Sequence, residues 1–478
     1  VNAFVQKRVI SNIVKSENDF NRRFNNMNET TKKESRQMDM LHGKIFKNML
    51  IVALPLAACS IMQQLFNSVG VAVVGRFAGS EALAAVGSNG AVINLLVTLF
   101  SGISLGSNVI IAGYIGEGNQ QKIPSVVHTA VTLALISGIL LLLLGQIISH
   151  PILLLMGAPK DVLHLATVYL RIYFLGMPFM MLYDFGASIL RSIGDTKRPL
   201  LALIVSGVVN VILNFLLVAC FHMDVAGAGI ATVVANGVSA LLVILFLLHE
   251  EEPIRVSFKK LEINTSELIR ILKIGVPAGL QGMVFSVANV CIQSSINSFG
   301  SKAIAGSSTA LNFEYITYFI VNAFAQTTVT FTSQNYSGKM YDRCKKVFRE
   351  AMLASMIFCG ILSMVFVLGR NFFIGLYTTD PDVIHYAMIR LVIITSLELL
   401  TSTYEISGAA LRGMGHSMTP AALTVFGSCV LRLIWISTAI RIWHNYTLLI
   451  WIYPISWVLT GTMVLTAYFL TRNKLFNQ

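Results

Sequence analysis

Four stretches free of Lys, Arg, Asp and Glu, at residues 126–148, 200–220, 226–248 and 351–368, constrain the fold more than any other feature of this sequence. Each is apolar and close to the ~20 helical residues that cross a bilayer's ~30 Å hydrocarbon core. Inside hydrocarbon every backbone N–H and C=O must be bonded within the chain, so such stretches become helices. Division of the whole chain at charges and Gly/Pro turns gives twelve spans: 48–74, 86–115, 124–148, 162–190, 199–220, 226–248, 268–298, 304–336, 345–369, 383–411, 418–440 and 446–470. The expected fold class is therefore an all-α membrane protein with twelve transmembrane helices. Spans 2 and 8 are long and rich in Ser, Thr and Asn, for which a lipid-facing helix has no use, so both are expected to line an interior.

Charge sets the orientation. The chain is only 12% charged, against about a quarter in soluble proteins. Of its 35 Lys and Arg, 27 fall on one side of the spans and five on the other, while Arg171, Arg390 and Arg432 lie within spans. The excess of basic residues marks the cytoplasmic side, so both termini are expected there. The net charge of +12 thus records topology; it does not point to nucleic acid. Residues 1–43 are polar and hold no apolar run of signal-peptide length, which gives a disordered cytoplasmic tail, with Met27 and Met38 as alternative in-frame starts. Six scattered cysteines show no paired spacing, and neither HExxH nor GxxxxGK[ST] occurs. A metal site, a disulfide framework and an ATP motor are therefore not expected.

The sequence also repeats itself. "FAGSEALAAVG" from Phe77 is echoed by "FGSKAIAGSS" from Phe299, and "YDFGASILRSIGDTKRP" by "YEISGAALRGMGHSMTP". At an offset of 221 the second pair aligns Tyr183 with Tyr404, Asp184 with Glu405, Arg191 with Arg412, Gly194 with Gly415 and Pro199 with Pro420. A repeat of six spans returns to its starting side, so the two halves share one orientation. They are expected as pseudo-symmetric six-helix bundles about an axis along the membrane normal, with a cavity between them. The bundles cover 44–250 and 267–478, joined by a cytoplasmic linker at 251–266.

At these residues the chain resembles the multidrug and toxic compound extrusion (MATE) family, in its bacterial branch. The phrases that carry the likeness are "QQLFNSVGVAVVGRFAGSEALAAVGS", "ILRSIGDTKRP", "VVNVILN", "VAGAGIATVVAN", "SQNYSGK" and "ALRGMGHSMTP". The resemblance implies an antiporter, coupled to Na⁺ or H⁺, that exports bulky and often cationic amphiphiles by alternating access. It implies a multi-pass, monomeric protein of the bacterial plasma (inner) membrane, with drug-like small molecules and membrane lipid as partners and no cofactor beyond the coupling ion.

Charged side chains at core depth cost about 2.5–3.5 kcal/mol each on insertion scales and are functional candidates by default. Those here are Asp184, Glu314, Glu398, Glu405 and Arg432. Arg171 and Arg390 lie roughly 30 Å along a helix from Arg191 and Arg412, so both are expected to snorkel at the outer interface as structural residues. At ~1.5 Å per residue, Asp184 and Glu405 lie roughly 10 Å from the cytoplasmic arginines, and Glu398 about 21 Å. One reading is a static network that ties Arg432 to Glu398 or Glu405. The other follows from charge: one base cannot neutralise three carboxylates, so at least one is protonated, solvated or ion-bound, as coupling requires.

The resemblance also shows what is missing. Relatives carry an aspartate in helix 1 where this chain has Gly70, and an acid in helix 5 where it has Asn214, four residues after the retained Asn210. Both acids of the usual N-terminal cation site are therefore absent. Relatives often carry an acid near position 401 as well, which Glu398 and Glu405 flank on one helical face. Cation coupling is accordingly expected in the C-terminal bundle, at Glu405, Glu398 and Glu314, with a lesser role for Asp184. The polar residues Gln64, Asn67, Asn210, Asn214, Asn236, Asn289 and Gln293 are candidates to line the substrate cavity or to tie helices together. Two rival functions remain. A lipid-linked precursor flippase would need several cavity cations for a pyrophosphate, and a membrane-embedded enzyme would need clustered metal ligands.

Overall fold

A computed structural model describes residues 38–156 and 160–476. Most of the polar tail expected over 1–43 lies outside the described residues. Six helical segments make up the N-terminal half: α1 (Ile45–Phe77), α2 (Gly79–Gly116), α3 (Ile123–Leu155), α4 (Lys160–Leu175 continued by Met177–Ser192), α5 (Lys197–Cys220) and α6 (Asp224–Leu248). Six more follow: α7 (Thr265–Asn297), α8 (Ser301–Ser337), α9 (Tyr341–Leu368), α10 (Pro381–Gly413), α11 (Met418–Ile440) and α12 (Tyr446–Phe476).

Ten of the twelve are long and apolar enough to span a bilayer individually. The other two have local reasons. α4 bends by 47° at Gly176, where Pro178 withholds a backbone donor. α8 is too polar to qualify by composition, but its hydroxyls bond the helix's own carbonyls: Thr327 Oγ1 donates to Ala323 O (2.8 Å) and Thr328 Oγ1 to Phe324 O (2.7 Å). That satisfies the polar groups internally, and α8 is largely buried among its neighbours.

The backbone repeats as the sequence does. Gly194 and Gly415 follow α4 and α10 with φ of 84° and 85°, and Gly79 opens α2 and Gly300 precedes α8 with φ of 88° and 92°. Only glycine adopts that left-handed conformation without strain. π-helical turns fall at corresponding places in α5 (Phe215–Cys220) and α11 (Ile436–Ile440).

The two bundles meet along α2 and α7 and, in the equivalent pairing, along α8 and α1. The α2–α7 seam is made by glycines. A Cβ on Gly102 would sit 2.3 Å from the Gly279 Cα, and one on Gly106 would sit 2.3 Å from the Ile271 carbonyl oxygen. Such close backbone approach is the way membrane helices gain packing where no water is displaced.

Toward the end that carries Arg191, Arg343 and Arg412 the seam is closed by hydrogen bonds. Ser333 Oγ donates to Val109 O (2.7 Å), Thr330 Oγ1 to Asn108 Oδ1 (3.0 Å) and Gln334 Nε2 to Ser192 O (2.8 Å). The hydroxyl-rich faces of α2 and α8 are therefore where one bundle seals against the other.

Candidate functional site: an interbundle cavity

Between the bundles, on the other side of that seal, lies a cavity of about 730 Å³. Most of its wall comes from the C-terminal half, with α2 and α3 supplying Asn94, Thr98 and Ile152 on the facing side. Four charged residues line it: Glu314 on α8, Arg390 and Glu398 on α10, and Arg432 on α11. Aromatic rings fill the space between them, among them Tyr318, Tyr404, Tyr453 and Trp457.

Arg390 and Glu314 form an ion pair with two parallel hydrogen bonds. Nε donates to Glu314 Oε1 (2.6 Å) and Nη2 to Oε2 (2.8 Å), while Nη1 donates to Ser307 Oγ (2.7 Å). Both residues are buried, at 2% and 6% exposure. This corrects the sequence expectation for Arg390. Distance along the helix places its Cα toward the interface, but α8 and α12 pack over that face of α10, so the guanidinium turns inward to a carboxylate. Arg171 in α4, expected at the same position, is exposed.

Glu398 sits where α10 is interrupted by a 3₁₀ turn at Glu398–Leu400. The turn breaks the regular ladder and brings a buried carboxylate to the cavity wall. Its Oε2 has no hydrogen-bond partner among the described residues.

Arg432 is fully buried, yet among the described residues no carboxylate lies within 4.0 Å of it. The direct ion pair expected with Glu398 or Glu405 is not formed. Nε donates to Ser456 Oγ (3.1 Å), Nη1 donates to Asn289 Oδ1 (3.4 Å), and Nη2 has no partner. The guanidinium carbon lies 4.6 Å from the Tyr453 ring centre and 5.1 Å from that of Phe285. Two aromatic faces thus supply part of the negative potential that a carboxylate would. The charge count changes accordingly: Glu314, Glu398 and Glu405 are accompanied by two arginines, Arg390 and Arg432, not one.

The remaining candidates divide by location. Asn289 and Gln293 line the cavity. Glu405 stands behind the wall and accepts a hydrogen bond from the hydroxyl of Tyr318 (3.0 Å), which does line it. Asp184 is in the N-terminal bundle, where Ser101 Oγ donates to it (2.7 Å). Gln64, Asn67, Asn210, Asn214 and Asn236 do not line this cavity. Asn214 Nδ2 donates to Asn210 Oδ1 (3.0 Å) and Asn210 Nδ2 to Thr232 Oγ1 (3.5 Å). A Cβ on Gly70 would be 3.6 Å from Asn214 Nδ2, so helices 1, 5 and 6 do converge there, around neutral groups only.

Sequence reasoning missed the aromatic wall and Arg390. A signal for Arg390 was present: it precedes Glu398 by eight residues, about two helical turns, which puts the two on one face. No group of three His, Cys, Asp or Glu residues is placed to hold a metal among the described residues.

The MatE family pattern matches the chain twice, at residues 55–216 and 277–437. The chain is 28% identical over 391 residues to "Probable multidrug resistance protein YoeA" of Bacillus subtilis, covering 80% of this chain and 84% of that protein. It is 24% identical over 436 residues to "Multidrug export protein MepA" of Staphylococcus aureus, covering 90% and 95%. Among solved structures it is similar to an outward-facing conformation of a multidrug resistance MATE family transporter, with a TM-score of 0.87 at 20% identity over 93% of this chain and all of that one.

Proposed function

Because this chain belongs to the MatE family, whose pattern spans both its halves, we propose that it is a cation-coupled antiporter that expels amphiphilic, drug-like organic compounds by alternating access. The observation that carries this reading is the interbundle cavity of about 730 Å³, lined by aromatic rings and by Glu398 with an unpartnered carboxylate oxygen. That volume falls within the range of drug-sized sites. The basic end, where the seam is sealed, is the cytoplasmic end by the excess of Lys and Arg there. The cavity then faces outward, in the state that releases cargo.

In this reading Glu398 is the coupling group. Glu314 is neutralised by Arg390, whereas Glu398 is free to take up Na⁺ or a proton or to hold the positive group of a substrate. Competition between cation and cargo for one carboxylate links the gradient to export, since each ligand then shifts the bundles only through its differential affinity for the two arrangements. Glu405 acts through Tyr318. A lipid-linked precursor flippase fits less well: of the two cavity arginines, Arg390 is spent on Glu314, which leaves a single cation for a pyrophosphate. Ethidium efflux from vesicles under separately imposed pH and Na⁺ gradients tests the proposal. Efflux driven by one gradient is expected; no efflux under either would refute it.

A further inference from the structure

A second groove, of about 390 Å³, lies on the outside of the C-terminal bundle at its basic end, between the start of α9 and the end of α12. Lys345, Lys346 and Arg349 line it from α9, and Arg472 from α12, with no acidic residue among the lining side chains. Lys345 is bonded to Asp342 (3.0 Å), and Arg472 lies over the Phe469 ring (4.9 Å). Neither Lys346 nor Arg349 has a carboxylate within 4.0 Å among the described residues. Below the cations the wall is apolar and open: Leu353 is 53% exposed, and Ile357 and Ile361 continue the same face of α9 toward the middle of the span.

Topology alone does not account for this cluster. At the 221-residue offset that relates the halves, the four cations correspond to Pro124, Ser125, His128 and Glu251. The equivalent place in the N-terminal bundle is moreover covered by the linker between the bundles. Ser257 N donates to His128 Nε2 (3.0 Å), Asn264 N donates to Thr129 Oγ1 (3.1 Å), and Ile254 and Val256 are buried. One copy of the groove is filled by the chain itself. The other, among the described residues, is open and lined with cations above an apolar ridge.

We propose that this α9–α12 groove binds an anionic phospholipid, the phosphodiester among Lys346, Arg349 and Arg472 and an acyl chain along Leu353, Ile357 and Ile361. The apolar ridge selects a lipid over a free anion, because a soluble phosphate makes no use of it. The single-sign lining selects an anionic headgroup over a zwitterionic one, whose own cation would be repelled. The occupied groove pins α9 to α12 at the level of the headgroups.

Native mass spectrometry and thermal unfolding of the purified full chain in detergent test this with phosphatidylglycerol, phosphatidylcholine and inorganic phosphate. Phosphatidylglycerol is expected to remain bound and to raise the melting temperature, while the other two do neither. Lys346→Gln/Arg349→Gln/Arg472→Gln should weaken phosphatidylglycerol binding on the order of 100-fold. Equal effects of the two lipids, a variant that keeps the preference, or a shift reproduced by phosphate alone would each overturn the proposal. Should the variant not fold, the wild-type preference for phosphatidylglycerol must still decline as salt is raised; a salt-independent preference would overturn it equally.

Discussion

Arg390 and Glu314 are bonded by two parallel hydrogen bonds of 2.6 and 2.8 Å across the gap between α10 and α8, both side chains buried. Such a pair fixes the two helices to one another and neutralises both charges. It also divides the buried charges of the C-terminal bundle into a structural pair and a reactive remainder.

The pair should behave as a unit in stability measurements. Removing one partner strands the other charge, a loss of about 3–5 kcal/mol. Arg390→Met and Glu314→Gln are each expected to lower the melting temperature in detergent markedly. The double variant Arg390→Met/Glu314→Leu should recover most of that loss, because two apolar side chains replace two satisfied charges. A double variant less stable than either single one would contradict the pairing.

Arg432 should respond differently. Among the described residues no carboxylate lies within 4.0 Å of it, so no direct ion pair is broken, and its contacts with Tyr453 and Phe285 are worth about 0.5–2 kcal/mol each. Arg432→Met is therefore expected to cost clearly less stability than Arg390→Met in the same unfolding assay. An equal or larger loss would mean that Arg432 has an ionic partner after all.

The α2–α7 seam makes a steric prediction. A methyl group at Gly279 would stand 2.3 Å from the Leu99 carbonyl oxygen, a contact no side-chain motion relieves. Gly279→Ala should force the helices apart and destabilise the protein by about 1–3 kcal/mol. Gly87→Ala in α2, where nothing lies within 4 Å of the added methyl, should have little effect. Similar melting temperatures for the two variants would show that the seam is not close-packed.

Much of this was legible in the sequence. The twelve spans and the repeat could be read because membrane burial demands long apolar helices and because "GDTKRP" and "GHSMTP" flag one turn used twice. Of the polar candidates, Glu314, Glu398, Asn289 and Gln293 stand around one cavity walled mainly by the C-terminal half. The partners of the arginines were not legible. Depth along a helix gives the height of a Cα, whereas a long guanidinium reaches several ångströms in a direction set by neighbouring helices. That is how Arg390 found Glu314 and Arg432 found Ser456 and two rings. The 3₁₀ turn at Glu398 has no sequence marker either, since no glycine or proline accompanies it.

We propose Glu398 as the group that couples the cation gradient to export. Gradient-driven ethidium efflux from vesicles containing Glu398→Gln, Glu405→Gln or Asp184→Asn tests it most directly, with the wild-type elution profile and melting behaviour required as evidence of folding. Glu398→Gln is expected to fold but not to pump, Glu405→Gln to be inactive as well through the loss of the negative charge behind Tyr318, since its amide oxygen can still accept the tyrosine's hydrogen bond, and Asp184→Asn to retain most activity. Normal pumping by both glutamine variants together with a dead Asp184→Asn would contradict it and place coupling in the N-terminal bundle.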